Sequence, residues 1–175
     1  QVTFISPNDF PDFLAWLPNT NKVVVFESDT ENAKTILKNS DIIFTLDFNA
    51  LHRTGESMQK TLNLSKELCT FGWNAYAAMA LPGSKLYKDA IDKGRPIPKT
   101  YEGFSFHSYE TLPLPTESLT SAQIIKFRDN AFEEYHSYPL FLEKVERKYG
   151  TSAVNNIKEM LKIKLKRKIV EEEIK

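Results

Sequence analysis

Residues 23–46 of the chain are Val23-Val-Val-Phe26-Glu-Ser-Asp-Thr-Glu-Asn-Ala-Lys-Thr-Ile-Leu-Lys-Asn-Ser-Asp41-Ile-Ile-Phe-Thr-Leu46, and this stretch decides the expected fold class. The apolar runs at 23–26 and 41–46 have the length and the β-branched content of buried strands. Between them, residues 29–39 repeat apolar side chains at helical spacing. A buried strand, a helix and a second buried strand in succession favour a parallel sheet with a right-handed crossover.

The same alternation of strand and helix continues on both sides of this stretch. The further elements that we expect are strands at 2–5 and 73–80 and helices at 9–17, 57–71 and 84–93, the last one ended by Gly94. We therefore predict an α/β fold with a small, mostly parallel sheet of three to four strands.

Residues 94–119 form a proline-rich segment, which we expect to wrap in an ordered way against the rest of the chain. Its four prolines forbid regular structure, whereas its aromatic residues require burial. Those aromatic residues are Tyr101, Phe104, Phe106 and Tyr109. The rest of the chain predicts a helical part: helices at 120–136 and 138–149, and a last helix from Thr151 that extends as far as Ile174. A capping box of Thr120 and Gln123 begins the first of these helices.

Composition limits the class of protein. The chain has 175 residues, of which 41% are hydrophobic, enough for one domain or two small ones with a packed core. The net charge is zero, although residues 1–56 carry about −4 and residues 57–175 about +4. Its apolar runs are much shorter than the ~20 residues that cross a bilayer, so we expect no membrane partner and a cytoplasmic location. Because the chain enters a strand directly at Gln1, we expect further sequence to precede it.

Cys69 is the only cysteine of the chain. A single thiol excludes an internal disulfide, the usual structural zinc sites and an iron–sulfur cluster held by three or four local thiolates. Because its neighbours are apolar, a buried side chain is favoured over a nucleophile.

The charged residues of the second half have structural interpretations. Arg128 and Asp129 are expected to be surface ions, or an ion pair with the wrapping segment. A basic run near the end is expected to be a solvated helix face rather than a nucleic-acid or membrane surface, because apolar residues lie between its charges and acidic residues follow it. The run consists of Lys162, Lys164, Lys166, Arg167 and Lys168.

Two motifs in the first third of the chain are Ile5-Ser-Pro-Asn-Asp-Phe-Pro11 and Leu46-Asp-Phe-Asn-Ala-Leu-His-Arg53. With them, residues 1–55 resemble an internal stretch of a DHH-family phosphoesterase of the oligoribonuclease or nucleotide-phosphatase type. The resemblance implies that Asp47 is a ligand of catalytic manganese. It also implies a substrate loop with Asn49, His52 and Arg53. The other metal-binding motifs of that family do not occur in the chain, and Asp47 also suits a helix N-cap or a turn after a strand.

Four stretches of the second part carry another resemblance: Met58-Gln-Lys-Thr-Leu62, Gly72-Trp-Asn-Ala-Tyr-Ala-Ala-Met-Ala-Leu-Pro-Gly-Ser84, Ser108-Tyr-Glu-Thr-Leu-Pro-Leu-Pro115 and Phe127-Arg-Asp-Asn-Ala-Phe132. They resemble the C-terminal part of cobalamin-binding-type radical SAM enzymes. Those enzymes use S-adenosylmethionine, an iron–sulfur cluster and cobalamin. The resemblance implies that residues 75–84 are the last barrel strand and its exit loop, next to the adenosyl cofactor. The implied cofactor-binding residues are Ala80, Pro82, Gly83 and Ser84. A plain strand-to-helix turn is the alternative for this loop.

The two resemblances divide the chain into a phosphoesterase-like α/β fragment at 1–56, the end of a radical-SAM-like barrel at 57–93, and the wrapping segment with the C-terminal helices at 94–175. The favoured function is that of the C-terminal portion of a radical SAM protein, joined to a phosphoesterase fragment. Because the cysteine motif of the cluster is not in the chain, we expect no catalysis and no resident cofactor in the chain alone.

Two alternatives stay open. The first is a manganese-dependent DHH-type phosphoesterase that acts on short oligonucleotides or nucleotide phosphates and is incomplete here. The second is a non-enzymatic interaction module that self-associates through exposed sheet edges. No nucleic-acid partner is expected apart from the short oligonucleotide substrate of the first alternative.

Overall fold

The computed structural model of the protein describes residues 3–6, 20–41, 43, 53–70 and 72–173. In these ranges the chain is mainly α-helical, with seven α-helices and one two-stranded parallel sheet. The parallel pairing agrees with the expected α/β class, but the described residues do not form a sheet of three to four strands. The chain divides into two compact units, Gln1–Ile43 and Phe44–Lys175, which are described separately. The domain boundaries expected at 56 and 93 stay predictions.

The first unit contains the sheet. Strands β1 (Ile5–Ser6) and β2 (Val24–Val25) pair in parallel, and helix α1 (Thr30–Lys38) follows. Two flanking backbone hydrogen bonds of 3.0 and 2.8 Å, from the N–H groups of residues 24 and 26, join the strands. The predicted helix at 29–39 therefore forms, whereas the predicted strand at 2–5 is paired only at Ile5 and the predicted strand at 23–26 only at residues 24–25. The predicted helix at 9–17 and most of the predicted strand at 41–46 lie outside the described residues.

The second unit is built from helices. They are α2 (Gly55–Leu68), α3 (Lys85–Asp92), α4 (Ser121–His136), α5 (Pro139–Tyr149), α6 (Thr151–Lys162) and α7 (Lys168–Glu173). Four of them, α2, α4, α5 and α6, enclose the main core. Its buried members are Leu62, Cys69, Ala131, Tyr135, Phe141, Val145 and Val154. Each large apolar side chain buried there contributes about 1.5–3 kcal/mol. None of the helices in the described ranges is long and apolar enough to span a bilayer.

Helix α2 begins two residues before the predicted start. Thr54 and Ser57 form a reciprocal capping box, which satisfies the first backbone N–H groups of the helix. Cys69 closes the helix in the left-handed region at φ 44°. It is buried as expected, and burial raises the pKa of its thiol. The Lys144 ammonium donates to the Cys69 carbonyl at 2.8 Å, so a cation lies at the negative end of the helix dipole.

The predicted fourth strand at 73–80 is corrected by the structure. Residues 72–80 are extended, but they pair with no strand in the part of the chain that is described. Two of their carbonyls have other partners: Ala78 accepts from the Leu114 N–H at 2.8 Å, and Ala75 accepts from Arg128 Nε at 3.1 Å. The wrapping segment and a helix side chain therefore take acceptors that a neighbouring strand would otherwise use.

Helix α3 has the predicted ends. Ser84 caps its start by accepting from a backbone N–H, and Gly94 ends it at φ +61°. The Gly94 N–H donates to the Ile91 carbonyl at 2.9 Å and the Arg95 N–H to the Ala90 carbonyl at 2.8 Å. This pair of bonds is the Schellman motif, so the expected C-cap at Gly94 is confirmed.

The wrapping segment, residues 94–119, is ordered as expected and contains only a short 3-10 turn at Tyr101–Phe104. Gly103, Thr111 and Leu114 are buried along it. The predicted burial of its aromatic residues is only partly right. Phe104 and Phe106 are half-buried against tyrosine rings at 6.3 and 4.9 Å. The exposed aromatic residues are Tyr101 and Tyr109.

The C-terminal helices are partly as predicted. The helices expected at 120–136 and 138–149 form as α4 and α5, and the Thr120–Gln123 capping box is confirmed. The single last helix is wrong, because α6 ends at Lys162 and residues 163–167 are non-helical before α7 begins. Its interruption has a tertiary cause. The buried Arg167 side chain donates to Asp129 and to the Ser108 carbonyl, and these contacts turn the chain out of the helix axis.

The close packing of the wrapping segment at Gly103 gives a stability prediction. A Cβ at this position would lie 2.5 Å from Pro98 Cβ and 3.3 Å from the Glu110 carbonyl oxygen. We expect Gly103→Ala to lower the free energy of unfolding by about 1–3 kcal/mol in urea titrations, because neither the ring nor the backbone can move aside easily. The control is Gly55→Ala, since a Cβ at Gly55 meets nothing within 4 Å. Equal stability of the two variants would contradict the packing described.

Candidate functional site

Three charged side chains, Arg128, Asp129 and Arg167, form a largely buried group that we name the arginine clasp. The Asp129 carboxylate accepts two bonds from Arg167, from Nε at 2.8 Å and from Nη2 at 3.0 Å, and one from Arg128 Nη1 at 2.8 Å. The Arg167 and Arg128 side chains are 3% and 8% exposed, and that of Asp129 is 20% exposed. One carboxylate therefore compensates two desolvated guanidinium groups.

The remaining donors of the clasp bond to two further segments of the chain, at residues 74–75 and at Ser108. Arg128 Nε donates to the Ala75 carbonyl at 3.1 Å, and Arg128 Nη2 lies 3.4 Å from Asn74 Oδ1. Arg167 Nη1 donates to the Ser108 carbonyl at 2.9 Å. The clasp thus connects helix α4 with the extended residues 72–80, with the wrapping segment and with the residues before α7.

Sequence reasoning found only part of this group. Arg128 and Asp129 were expected as surface ions or as a pair with the wrapping segment, but Arg128 is buried and the longer-range partner of Asp129 is Arg167. Arg167 was counted in the solvated basic run. Its partner lies 38 residues away, so no local pattern reveals the pair. The one available signal is an arginine within a run of lysines, since arginine is the preferred residue for buried ion pairs.

The basic run as a whole is compensated by acidic residues. Four of its five members form ion pairs: Lys162 with Glu159, Lys164 with Glu133, Arg167 with Asp129 and Lys168 with Glu110. Charge compensation was expected, but three of the four partners belong to other elements instead of the same helix. The run is therefore not a continuous positive surface.

An open groove with a volume of about 300 Å³ lies beside the clasp, between α4 and residues 164–171. Its lining consists of Lys126, Asp129, Asn130, Glu133, Lys164, Leu165, Lys166, Arg167, Val170 and Glu171. Several of these charges already bond to each other or to neighbouring residues, as in Lys164–Glu133 and Glu171–Tyr109. The groove offers hydrogen bonds and ion pairs to a polar group, which would have to compete with these contacts.

The four residues proposed to lie beside S-adenosylmethionine do not point to one space. Ala80 is buried with Ala90 and Leu114, whereas Pro82, Gly83 and Ser84 form an exposed turn. The Ser84 hydroxyl donates to the Leu81 carbonyl at 2.7 Å and accepts from the Tyr87 N–H at 3.0 Å. The turn therefore starts helix α3, in agreement with the plain strand-to-helix alternative.

The cavity lined by Ala90 and Leu114, the residues that pack with Ala80, is smaller than usual ligand sites, and its lining includes none of residues 82–84. It has a volume of about 40 Å³ and is lined by residues that include Leu86, Ala90 and Leu114, whereas small-molecule sites usually have roughly 300–1,000 Å³. The role of these four residues beside S-adenosylmethionine stays a prediction. An iron–sulfur cluster does not fit the single, buried thiol of Cys69.

Of the residues proposed for a manganese site and its substrate loop, the structure describes only Arg53. Asp47, Asn49 and His52 fall outside the described residues, and their roles stay predictions. Arg53 is described: its Nη1 donates to Thr61 Oγ1 at 3.2 Å, and its carbonyl accepts from Ser118 Oγ at 3.2 Å. The described ranges contain no group of three or more His, Cys, Asp or Glu side chains placed to hold a metal ion.

His136, which the sequence did not single out, is buried among aromatic rings. Its ring lies among Phe132, Tyr135 and Phe141, with centroids 4.1, 5.4 and 5.3 Å away. Nδ1 lies 2.8 Å from the Phe132 carbonyl oxygen, so the tautomer with a proton on Nδ1 donates there. Burial lowers the pKa of His136, and the nearby Arg128 charge lowers it further.

The clasp leads to a prediction about stability. We expect Asp129→Asn to lower the free energy of unfolding by about 3–5 kcal/mol, because two buried guanidinium groups lose their only carboxylate within the clasp. The matched control is Asp89→Asn, which removes the exposed ion pair with Lys85 and should leave the free energy of unfolding almost unchanged. Urea unfolding followed by circular dichroism measures both variants. Similar losses in the two variants would show that the clasp is not a buried pair.

The environment of His136 predicts a pH dependence. Its pKa in the folded state is below the ordinary value of 6.5, so the unfolded state binds the proton more tightly. Stability from this group is therefore complete above pH 6.5 and is lost as the pH falls below that value. We expect His136→Phe to remove this component, and the variant of the exposed His107→Phe to keep it, in unfolding titrations between about pH 7 and pH 5. An unchanged pH profile in His136→Phe would refute the assignment.

Comparisons with known proteins do not supply a family. The chain has no match among protein families, among curated proteins or among solved structures.

Proposed function

We propose that residues 57–175 are the C-terminal portion of a radical SAM protein of the cobalamin-dependent type, joined in this chain to a phosphoesterase-like fragment, and that they catalyse no reaction on their own. The observation that carries this proposal is the conformation of residues 72–80. Asn74 and Tyr76 are exposed, whereas Trp73, Ala75 and Ala77 are half-buried. This alternation is typical of a β-strand with one face on a core and one face outward.

The contacts of residues 72–80 support a role as a terminal strand. The Trp73 ring stacks on Tyr135 at 5.6 Å, and its indole N–H donates to Ser65 at 2.8 Å. Arg128 fixes the Ala75 carbonyl, so helices α2 and α4 hold the segment in an extended form. A segment held in this way would pair with a strand supplied by other residues through backbone groups other than the Ala75 and Ala78 carbonyls, which are already bonded.

The buried polar groups support the non-catalytic part of the proposal. In radical SAM enzymes an iron–sulfur cluster supplies the electron that cleaves S-adenosylmethionine, and a cluster requires several thiolates. The one thiol of this chain, that of Cys69, is packed in the helical core with a raised pKa. The largely buried charges of the clasp bond to each other and to backbone carbonyls, so their chemical role is structural.

Location and association complete the proposal. The cytoplasm is the proposed compartment, because a chain with a single, reduced and buried cysteine does not depend on an oxidising environment. Self-association through the edges of the β1–β2 sheet is proposed as well, since a two-stranded sheet has backbone groups at both edges.

The strand proposal is tested by supplying the missing barrel. A cobalamin-type radical SAM barrel that is truncated before its last strand should bind this chain saturably in calorimetry. Tyr76→Pro should abolish that binding, because proline removes a backbone N–H that strand pairing needs. Tyr76→Ala is the matched control, since it removes the same exposed side chain and keeps the N–H, and it should retain binding. Equal affinity of the two variants would contradict strand addition.

The phosphoesterase alternative gives a different result. In that case, titration of the chain alone with Mn²⁺ would release heat that disappears in Asp47→Ala, while the truncated barrel would bind neither variant of Tyr76. We expect no saturable heat with Mn²⁺.

A further inference from the structure

The break between α6 and α7 is not caused by the local sequence. Residues 151–173 contain neither glycine nor proline, and their apolar residues recur at helical spacing through the break. The non-helical residues 163–167 include isoleucine, leucine, lysine and arginine, which are all compatible with a helix. Tertiary contacts of Arg167 and of α7 therefore keep the chain bent at this point.

The contacts that hold α7 are made mostly by polar side chains. The Lys168 N–H donates to the Tyr109 carbonyl at 3.0 Å, and none of the residues of α7 is fully buried. Side-chain contacts of this helix are Lys168 Nζ with Glu110 at 3.0 Å, Tyr109 Oη with Glu171 at 2.8 Å and Thr120 Oγ1 with Glu173 at 2.8 Å. With six residues, α7 is too short to be a stable helix by itself, so its docking site must hold it in place.

The residues between the two helices are suited to act as a hinge. Residues 163–166 are all exposed, and the Ile163 side chain is 75% exposed. If these residues became helical, α6 and α7 would form one helix over 151–173, with a length of about 34 Å. In the straight helix, the backbone N–H and C=O groups of the hinge would form helical hydrogen bonds. The same helix would move α7 away from its docking site on its own copy.

We propose that two copies of this chain exchange α7. In each copy, residues 163–166 become helical, and α7 docks on α4 and the wrapping segment of the other copy. Each side-chain contact of α7 is then formed again between the copies, including the pair of Arg167 with Asp129, whereas the Lys168 N–H leaves the Tyr109 carbonyl and bonds to the residue 164 carbonyl within the straight helix. The closed monomer and the exchanged dimer therefore differ mainly at the hinge, which is the condition under which exchange of a terminal element is favourable.

A matched pair of hinge variants tests the exchange. Lys166→Pro is compatible with the non-helical, exposed hinge of the monomer but not with the interior of a straight helix. Lys166→Ala removes the same charge and favours a helix. After warming below the unfolding midpoint at high concentration and then cooling, the wild type and Lys166→Ala should show a dimer by light scattering. Lys166→Pro should lower the dimer association constant by more than about 100-fold.

A second experiment distinguishes exchange from contact between two surfaces. Glu110→Lys and Lys168→Glu each place like charges against one another in a closed monomer and in an exchanged homodimer. In a mixed, exchanged dimer, both pairs become complementary again. We expect each variant alone to remain monomeric and an annealed 1:1 mixture to give a heterodimer, with circular dichroism as the check that both variants are folded.

Several results would overturn the exchange. They are the lack of any wild-type dimer after annealing, a dimer that persists in Lys166→Pro, and an annealed mixture of the two charge variants without a heterodimer. Association through the β1–β2 edges would give the second of these results, because it does not involve the hinge.

Discussion

The sharing of one carboxylate by two buried guanidinium groups is the constraint on which the second unit depends. Removing Arg128 and Arg167 from water costs several kcal/mol each, and the single charge of Asp129 offsets only part of it. Carbonyl oxygens must supply the remaining acceptors. The Ala75 and Ser108 carbonyls do so, and this requirement fixes the position of two segments that have no helix or sheet of their own.

The apolar core and the clasp anchor the extended residues 72–80 by different means. At one end, Trp73 stacks on Tyr135 within the helical core, and at the next odd-numbered position Arg128 bonds to the Ala75 carbonyl. The Tyr135 hydroxyl itself donates to the Thr70 carbonyl, and burial raises the pKa of Tyr135 to about 12. An extended segment with both an aromatic and an ionic anchor keeps the shape of a strand without the support of a sheet, which is the basis of the proposed function.

Patterns within a few residues predict the ends of several helices. The wrong predictions, the paired strand at 73–80 and the single last helix, concern contacts between residues that are distant in the sequence. The capping box at Thr120 and the glycine cap at Gly94 act within a few residues, so a single sequence reveals them. The apolar pattern at 73–80 indicates an extended, half-buried segment, but it does not tell whether a strand or a helix side chain bonds to its backbone. The bend after Lys162 depends on an ion pair across 38 residues, which local periodicity cannot detect.

In the candidate site, too, local patterns do not reveal contacts between residues that are distant in the sequence. Sequence reasoning expected Arg128 and Asp129 as surface ions or as an ion pair with the wrapping segment, and Arg167 on a solvated face, whereas the three side chains bond to one another. The turn at residues 82–84 is exposed, and its Ser84 hydroxyl caps helix α3. Whether a turn binds a ligand or caps a helix depends on the residues that surround it in the folded chain, and a local sequence pattern does not identify those residues.

The long reach of Arg167 also has a consequence for the order of folding. Its bonds span 38 residues to Asp129 and 59 to Ser108, whereas α4, α5 and α6 are consecutive helices joined by short turns. Contacts between neighbouring helices close small loops and form early, and contacts with a large sequence separation form after them. We therefore expect the ion pair to form after the contacts among α4, α5 and α6, together with the bonds of Tyr135 to Thr70 and of Lys144 to Cys69, which span 65 and 75 residues. On this expectation its energy mainly slows unfolding and changes the folding rate little.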